Sequence, residues 1–531
     1  MSKSFVRRAS SAAIALSAVV ALAGCGGDSG GAPAAPKDGV LVIDQAFTAQ
    51  SIDPATIFQV TDSIVATGIY QTLLAYQGGT ADPKPLLASG LDVSKDAKTF
   101  TFTLDKRATF ADGKPVTSAD VVFSLDRLKN LQSGPAYLMD GLTVSAPDKE
   151  TVVVTSADPA PYLPHIFTST ATSIVEAAVV QKAGGTDAAD AAKKDKAGAL
   201  FTKAESGIGS GPYQLESYDT NSQITLVRNE DYWGAEAAYD RIVLRNVTNA
   251  QQQKSNVESG ESQIAMDIPG RIAEGMDGDG VSVTSSPSPE VLYLAMSNDP
   301  SSPTSDPKVR EAIKLGLDYD QLITLAGAGA QRAAGIIPSK MIGATPVEDA
   351  VQTDVDAAKQ LVEEAGATGK TVTFDYANDY TRLAGIDYNV LAQGVQNQLQ
   401  AIGLTVKLNP TPTSTSLQRY VDGKTQLALW SWPPDYVDPQ NLLVFGPGQL
   451  IGDRVGWQAG DDSKVAELGA TAQSTTGEGR DAAYRAWGEA LAADGPYAYL
   501  LEPSFFLVSA SSLGPVTHDP MANLNLAQIN Q

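Results

Sequence analysis

The sequence predicts an α/β fold with mixed sheets, divided into at least two lobes. Its 531 residues exceed what one ordinary hydrophobic core accommodates. Hydrophobic residues make up 43% of the chain, enough for large cores and too many for global disorder. Period-two strand patterns alternate along it with helical patterns, and no repeat is evident.

The chain opens with an export signal. Lys3, Arg7 and Arg8 form a basic start. Residues 12–23 are apolar except for Ser17, too short a stretch for the roughly 20 residues a spanning helix needs. They run into Leu22-Ala23-Gly24-Cys25, which resembles the bacterial lipobox. That resemblance implies that Cys25 carries a diacylglycerol thioether and becomes the mature N-terminus. Cys25 is the only cysteine, so a disulfide within the chain is impossible, and lipidation accounts for an odd cysteine in an exported protein. Residues 26–36, rich in Gly, Ala and Pro, read as a flexible tether.

Gly39-Val40-Leu41-Val42-Ile43 then reads as a buried strand. Thr99-Phe100-Thr101-Phe102-Thr103-Leu104 alternates as a half-buried strand does. Ala111-Asp112-Gly113-Lys114-Pro115 is a turn. The helix after it has Thr117 as its cap, Asp120 at its third position, and Val121, Val122, Phe123, Leu125 and Leu128 as apolar members. Residues 151–155 and 223–227 read as strands, and 181–198 as a surface helix or loop. Asp306-Pro307 opens a helix with a cap and a first-turn proline. Residues 354–365 form another, stopped by Gly366. Residues 371–376 and 404–408 read as strands with a helix between them. Residues 427–432 form a strand that ends at Pro433-Pro434, and 481–493 a helix.

Charge and composition exclude several functions. The chain carries 38 basic and 61 acidic residues, a net charge of −23. Without the first 24 residues, which hold three bases and no acid, 35 face 61, or −26. A nucleic-acid binder needs a basic face instead. One cysteine and two histidines cannot build the usual zinc or haem cage, and no cofactor is expected. Gly27-Asp28-Ser29-Gly30-Gly31 spells a serine-hydrolase motif, but in a flexible tether. That chemistry needs a rigid elbow with a histidine in reach. His165 and His518 have no nucleophile context. Gly369-Lys370-Thr371 ends like a phosphate loop, yet Glu364 stands where its first glycine belongs, and a helix precedes where a strand is required.

Four blocks in order resemble the family 5 extracellular solute-binding proteins, the oligopeptide and dipeptide receptors of ABC importers. The first runs from Pro85-Leu86-Leu87-Ala88 to Arg127 and holds Phe110-Ala111-Asp112-Gly113-Lys114-Pro115-Val116-Thr117. The second is Gly209-Ser210-Gly211-Pro212-Tyr213 with Arg228-Asn229-Glu230-Asp231-Tyr232-Trp233-Gly234. The third is Asp306-Pro307-Lys308-Val309-Arg310-Glu311-Ala312-Ile313, in which Arg310 reads as structural. The fourth is Trp432-Pro433-Pro434-Asp435-Tyr436-Val437-Asp438-Pro439.

The resemblance implies a two-lobed periplasmic-binding-protein-like fold of class II with an extra subdomain on lobe I. Its implied layout is signal peptide 1–24, tether 25–37, lobe I over 38–75, 205–287 and 500–531, subdomain 76–204, and lobe II 288–499. Crossings between the lobes are expected near residues 285–293 and 497–505. The implied role is an exported, lipid-anchored monomeric receptor, not an enzyme, that passes a peptide or other small molecule to a membrane permease. Peptides are the first reading; a sugar, opine or metal chelate is the alternative, and an exported hydrolase a more remote one.

The resemblance also implies the site. Asp435 matches the aspartate that pairs with a peptide's α-ammonium, which needs a carboxylate when buried. Trp432 matches a pocket aromatic. Ser431 and Pro433 flank it, and the strand before them offers its edge to an extended ligand. Thr48 and Ala49 match the lobe I segment opposite, and Tyr137 is a pocket aromatic from the subdomain. Leu429 stands where some peptide receptors carry a base for the ligand carboxylate, and Thr48 where an acid can stand.

Overall fold

Phe100 and Phe102 of the strand Thr99–Leu104 are fully buried on one side of a four-stranded antiparallel sheet. Burying each contributes about 1.5–3 kcal/mol. The computed structural model describes residues 39–529 apart from 205, 279 and 381–384. The export signal, Cys25 and the tether lie outside the described residues. The sheet orders Ala88–Val93, Thr99–Leu104, Thr151–Ser156 and Leu142–Ser145. The helix Ser118–Leu131 lays Val121, Leu125 and Leu128 on the same core. It starts at the expected capping box, where the Thr117 N–H donates to Asp120 at 3.0 Å. The turn before it needs Gly113, whose φ is +82°.

Residues 181–198 lie mostly at the surface, as expected, with Gly185, Ala191 and Ala197 buried. They contribute to three short helices, Ala177–Lys182, Ala191–Lys194 and Gly198–Phe201. The Asp195 side chain is buried too, because Arg127 Nε donates to it at 2.8 Å and the Thr186 and Ala197 N–H groups at 3.0 Å.

A seven-stranded sheet forms the second unit. Its order is Val281–Pro287, Ser504–Ala510, Ile264–Ala265, Val40–Gln45, Arg241–Asn246, Gln223–Arg228, Tyr213–Asp219. Val40–Gln45 runs parallel to Arg241–Asn246, with Val40 opposite Arg241. The Gly209-Ser210-Gly211 run has a packing reason: a Cβ on Gly211 would lie 2.4 Å from the Gly68 carbonyl oxygen. Trp233 of the same block donates to Gln71 at 2.9 Å, a scaffold contact.

The third unit is a six-stranded sheet: Gln331–Arg332, Tyr497–Glu502, Val291–Met296, Leu427–Trp432, Thr371–Ala377, Thr405–Thr411. The helices Pro307–Gly316, Tyr319–Ala326, Val355–Glu364 and Tyr388–Ala401 build its aliphatic core. Asp306 caps the first of these, accepting from the Lys308 N–H at 2.9 Å. Arg310 is structural, donating to the Thr304 and Ser305 carbonyls. A second, aromatic core gathers Tyr293, Trp430, Phe445, Trp487 and Tyr497. The chain passes from the seven- to the six-stranded sheet through Ser288-Pro289-Glu290 and returns through Pro503.

Candidate functional site

The strand Leu427–Trp432 pairs along its whole length with Val291–Met296. On its other side it pairs with Thr371–Ala377 only at Leu427 and Ala428. Among the described residues, therefore, its stretch from Leu429 to Trp432 has no strand partner on that side, although Leu429, Trp430 and Ser431 are buried. Alternation puts Trp430 and Trp432 on one face. Trp430 stacks on Tyr420 at 5.7 Å, and Trp432 meets Phe445 edge-on at 5.7 Å. Pro433-Pro434 stops the strand, since neither has an N–H to continue the ladder.

Beyond the prolines, Asn441 gathers the site. Its Oδ1 accepts from the Trp432 indole N–H and from the Asp435 backbone N–H, both at 3.2 Å. Its Nδ2 donates to Asp435 Oδ2 at 3.3 Å. Tyr137, from the four-stranded unit, lines the same cavity as Asp435. Burial, and then the Asp435 charge, push the Tyr137 pKa far up, so the hydroxyl keeps its proton and stays a donor.

Tyr137, Trp432 and Asp435 line one cavity of about 590 Å³, within the usual range for ligand sites. Tyr162, Tyr436, Val465 and Trp487 supply much of its apolar wall. Its charged lining residues are Asp140 and Asp435, with no Lys, Arg or His among the described ones. Tyr162 of the four-stranded unit stacks on Tyr436 at 5.5 Å. Nearby, the buried Asp438 accepts from Arg480 Nη2 at 2.8 and 2.9 Å and caps the turn Pro439–Phe445. His165 lies against the same carboxylate at 3.9 Å and shares a 2.9 Å hydrogen bond with the Tyr76 hydroxyl. Burial lowers the His165 pKa, with Asp438 opposing.

The other expected residues are placed differently. Pro433 lines a smaller adjoining chamber. Ser431 is buried, its hydroxyl 3.1 Å from that of Tyr380. Thr48 and Ala49 line neither chamber. The Thr48 N–H donates to Thr61 Oγ1 at 3.0 Å, and Ala49 packs on the core of the seven-stranded unit. Asn441, Tyr162 and Trp487 were not expected. An Asn or Tyr in a loop has no local signature, and Trp487 reads as an ordinary apolar helix residue. A larger cavity of about 690 Å³ is lined by parts of residues 63–86, 168–173 and 515–528, and none of the expected site residues line it.

Residues 82–446, more than half of the chain, match the family model "Bacterial extracellular solute-binding proteins, family 5 Middle". The chain belongs to this family. The curated relatives include the probable D,D-dipeptide-binding periplasmic protein DdpA of Escherichia coli, 29% identical over 92% of this chain and 93% of the relative. A dipeptide-binding protein of the same species is 28% identical over 71% and 72%. Among solved structures, the substrate-binding protein CtaP of Listeria monocytogenes superposes with a TM-score of 0.80 at 21% identity, covering 93% of this chain and all of CtaP. DppA of Helicobacter pylori in complex with a peptide gives 0.72 at 22% identity, covering 93% and 97%. This family 5 protein thus has the two-lobed architecture of periplasmic binding proteins. Its cavity lies where Tyr137 of the four-stranded unit faces Asp435 of the six-stranded one.

Proposed function

We propose that this family 5 receptor captures peptides by their free α-amine and delivers them to an ABC permease. The observation that carries the reading is the meeting of Tyr137, Trp432 and Asp435 on one cavity at the end of the strand Leu427–Trp432. Asp435 pairs with the ammonium, while Trp432 and Tyr137 cover it with ring faces that favour a cation. The strand edge takes the peptide main chain, which is the same for all sequences, so side chains contribute little to selection. Hinging about Ser288-Pro289-Glu290 and Pro503 opens and closes the cleft. Capture and release suffice for this role, and no catalytic step is invoked. Lipidated Cys25, an extracytoplasmic location and a monomeric state complete the reading. Mass spectrometry of the ligand that copurifies with the protein from its own cell tests it. A peptide with a free amine supports the reading, and a ligand without an amine overturns it.

A second reading, a non-peptide cationic solute, is favoured by one observation. No Lys, Arg or His lines the cavity among the described residues, and Leu429 is buried in the strand where a carboxylate-binding base could stand. A cargo without a carboxylate meets no unpaired charge there.

A further inference from the structure

The cavity of about 690 Å³ shares no lining residue with the cargo cavity. At roughly 30 Å³ per water it has room for about twenty water-sized groups, the bulk of a disaccharide. Most of its lining side chains carry a hydroxyl or an amide, and they come from stretches far apart in the chain. Its charged lining residue is Asp519, with no Lys, Arg or His among the described ones. The Met521 and Ala522 N–H groups donate to the Asp519 carboxylate at 2.9 and 2.8 Å.

The polar wall is fixed by the fold itself. Gln71 donates to the Tyr232 hydroxyl at 3.0 Å and accepts from the Trp233 indole N–H at 2.9 Å, so both ends of its amide are set. The Tyr232 ring depends on Gly234, where a Cβ would lie 2.7 Å from two of the ring carbons. A phenol that accepts one hydrogen bond still has its own proton to donate. Gln528 Nε2 donates to the Tyr76 carbonyl at 2.6 Å, and Thr170 Oγ1 to Ser63 Oγ at 3.2 Å. An anion meets no base among the described lining residues, and a cation meets a carboxylate already turned to two backbone donors. An apolar ligand leaves hydroxyls and amides without partners. A ligand dense in hydroxyls matches groups that both donate and accept. We infer that this cavity is a second binding site of the receptor, for a neutral saccharide of about two rings. It stands apart from the cargo cavity, whether or not the cargo is a peptide.

The test is calorimetry with four neutral disaccharides, maltose, cellobiose, lactose and N,N′-diacetylchitobiose, and two charged analogues, cellobiuronic acid and protonated chitobiose. At least one neutral sugar is expected to bind with a Kd of about 1 mM or tighter. Each charged analogue is expected to bind at least tenfold more weakly than the best neutral one. Ala527→Trp places a large ring on the cavity wall and is expected to abolish that binding. Tyr232→Phe keeps the ring, removes the hydroxyl and is expected to weaken binding at least threefold. An unchanged thermal midpoint shows that a variant is folded; if Ala527→Trp is not, Tyr232→Phe decides alone. Binding by none of the neutral sugars overturns the site. So does a charged analogue that binds as tightly, or sugar binding that the folded variants leave unchanged, which places the sugar elsewhere.

Discussion

Tyr137 and Asp435 line the same cavity from two structural units, the four-stranded sheet with its helices and the six-stranded one. Asn441 fixes the Asp435 carboxylate from its own side, at 3.3 Å. An arriving ammonium meets an acceptor already oriented, which lowers the ordering cost of binding.

Asp435→Asn keeps the shape of the side chain and removes the charge. It is expected to weaken binding of a free-amine cargo by about 2–5 kcal/mol, the range for truncating one partner of a buried pair. Trp432→Ala removes apolar contact instead, so it is expected to weaken the cargo and its N-acetylated analogue alike. Calorimetry with both ligands separates the two effects. If the wild type binds both equally and Asp435→Asn changes neither, Asp435 is a turn residue and the amine is not read here.

Arg127 is 2% exposed and donates to Asp53 at 2.7 Å and to Asp195 at 2.8 Å. It joins the helix Ser118–Leu131 to two distant segments. Burial and the two carboxylates act in opposite directions, and the carboxylates prevail, so the guanidinium stays charged. Arg127→Met leaves two buried acids unpaired and is expected to cost about 3–5 kcal/mol. Arg127→Lys is expected to recover little, because an ammonium cannot make both forked contacts. Urea denaturation measures this, and a loss below 1 kcal/mol contradicts the triad's role.

Most scaffold elements were legible because their signals are local. The capping pairs Thr117–Asp120 and Asp306-Pro307, the alternation at Thr99–Leu104 and the strand Leu427–Trp432 each follow from a few adjacent residues. The site was legible only in part. Asp435 and Trp432 lie in one contiguous block, whereas Asn441, Tyr162 and Trp487 reach the cavity through tertiary packing that no spacing announces. Asp195 shows the same limit: its run is polar, but a partner 68 residues away keeps it inside. Asp438 caps the turn that begins at Pro439, and its pairing with Arg480, 42 residues on, has no local signal.

His518 is buried and stacks on Phe505 at 4.7 Å. Burial pushes its pKa down to about 4, with a hydrogen bond to Asn523 opposing. An unfolded histidine titrates near 6.5. Between those values the unfolded chain binds a proton that the folded one does not, so stability falls as pH drops through that window and is fully present above it. The loss attributable to His518 by pH 4 is about 2–3 kcal/mol. Asp519, whose pKa burial raises, acts in the opposite direction, so the comparison is between variants rather than absolute. His518→Phe keeps a stacked ring and removes the titration. Its stability between pH 7 and pH 4 is expected to fall less steeply than the wild type's by that amount. Parallel pH profiles contradict this.

Cys25, outside the described residues, is the lipid site proposed from Leu22-Ala23-Gly24-Cys25. A tether of low apolar content follows it, which lets a folded receptor stand off a membrane while remaining attached. One acyl chain gives only marginal, reversible binding, so stable attachment needs the two chains of a diacylglycerol. Cys25→Ser is expected to abolish radiolabelled lipid incorporation and to shift the protein from the membrane to the soluble fraction of the native cell. The affinity for cargo is expected to stay unchanged, because the pocket residues are at least 112 positions away in sequence and the tether carries none of them. Persistent membrane association without lipid labelling, in wild type and variant alike, means that another feature holds the protein there, and Cys25 is then a chance cysteine after an ordinary export signal.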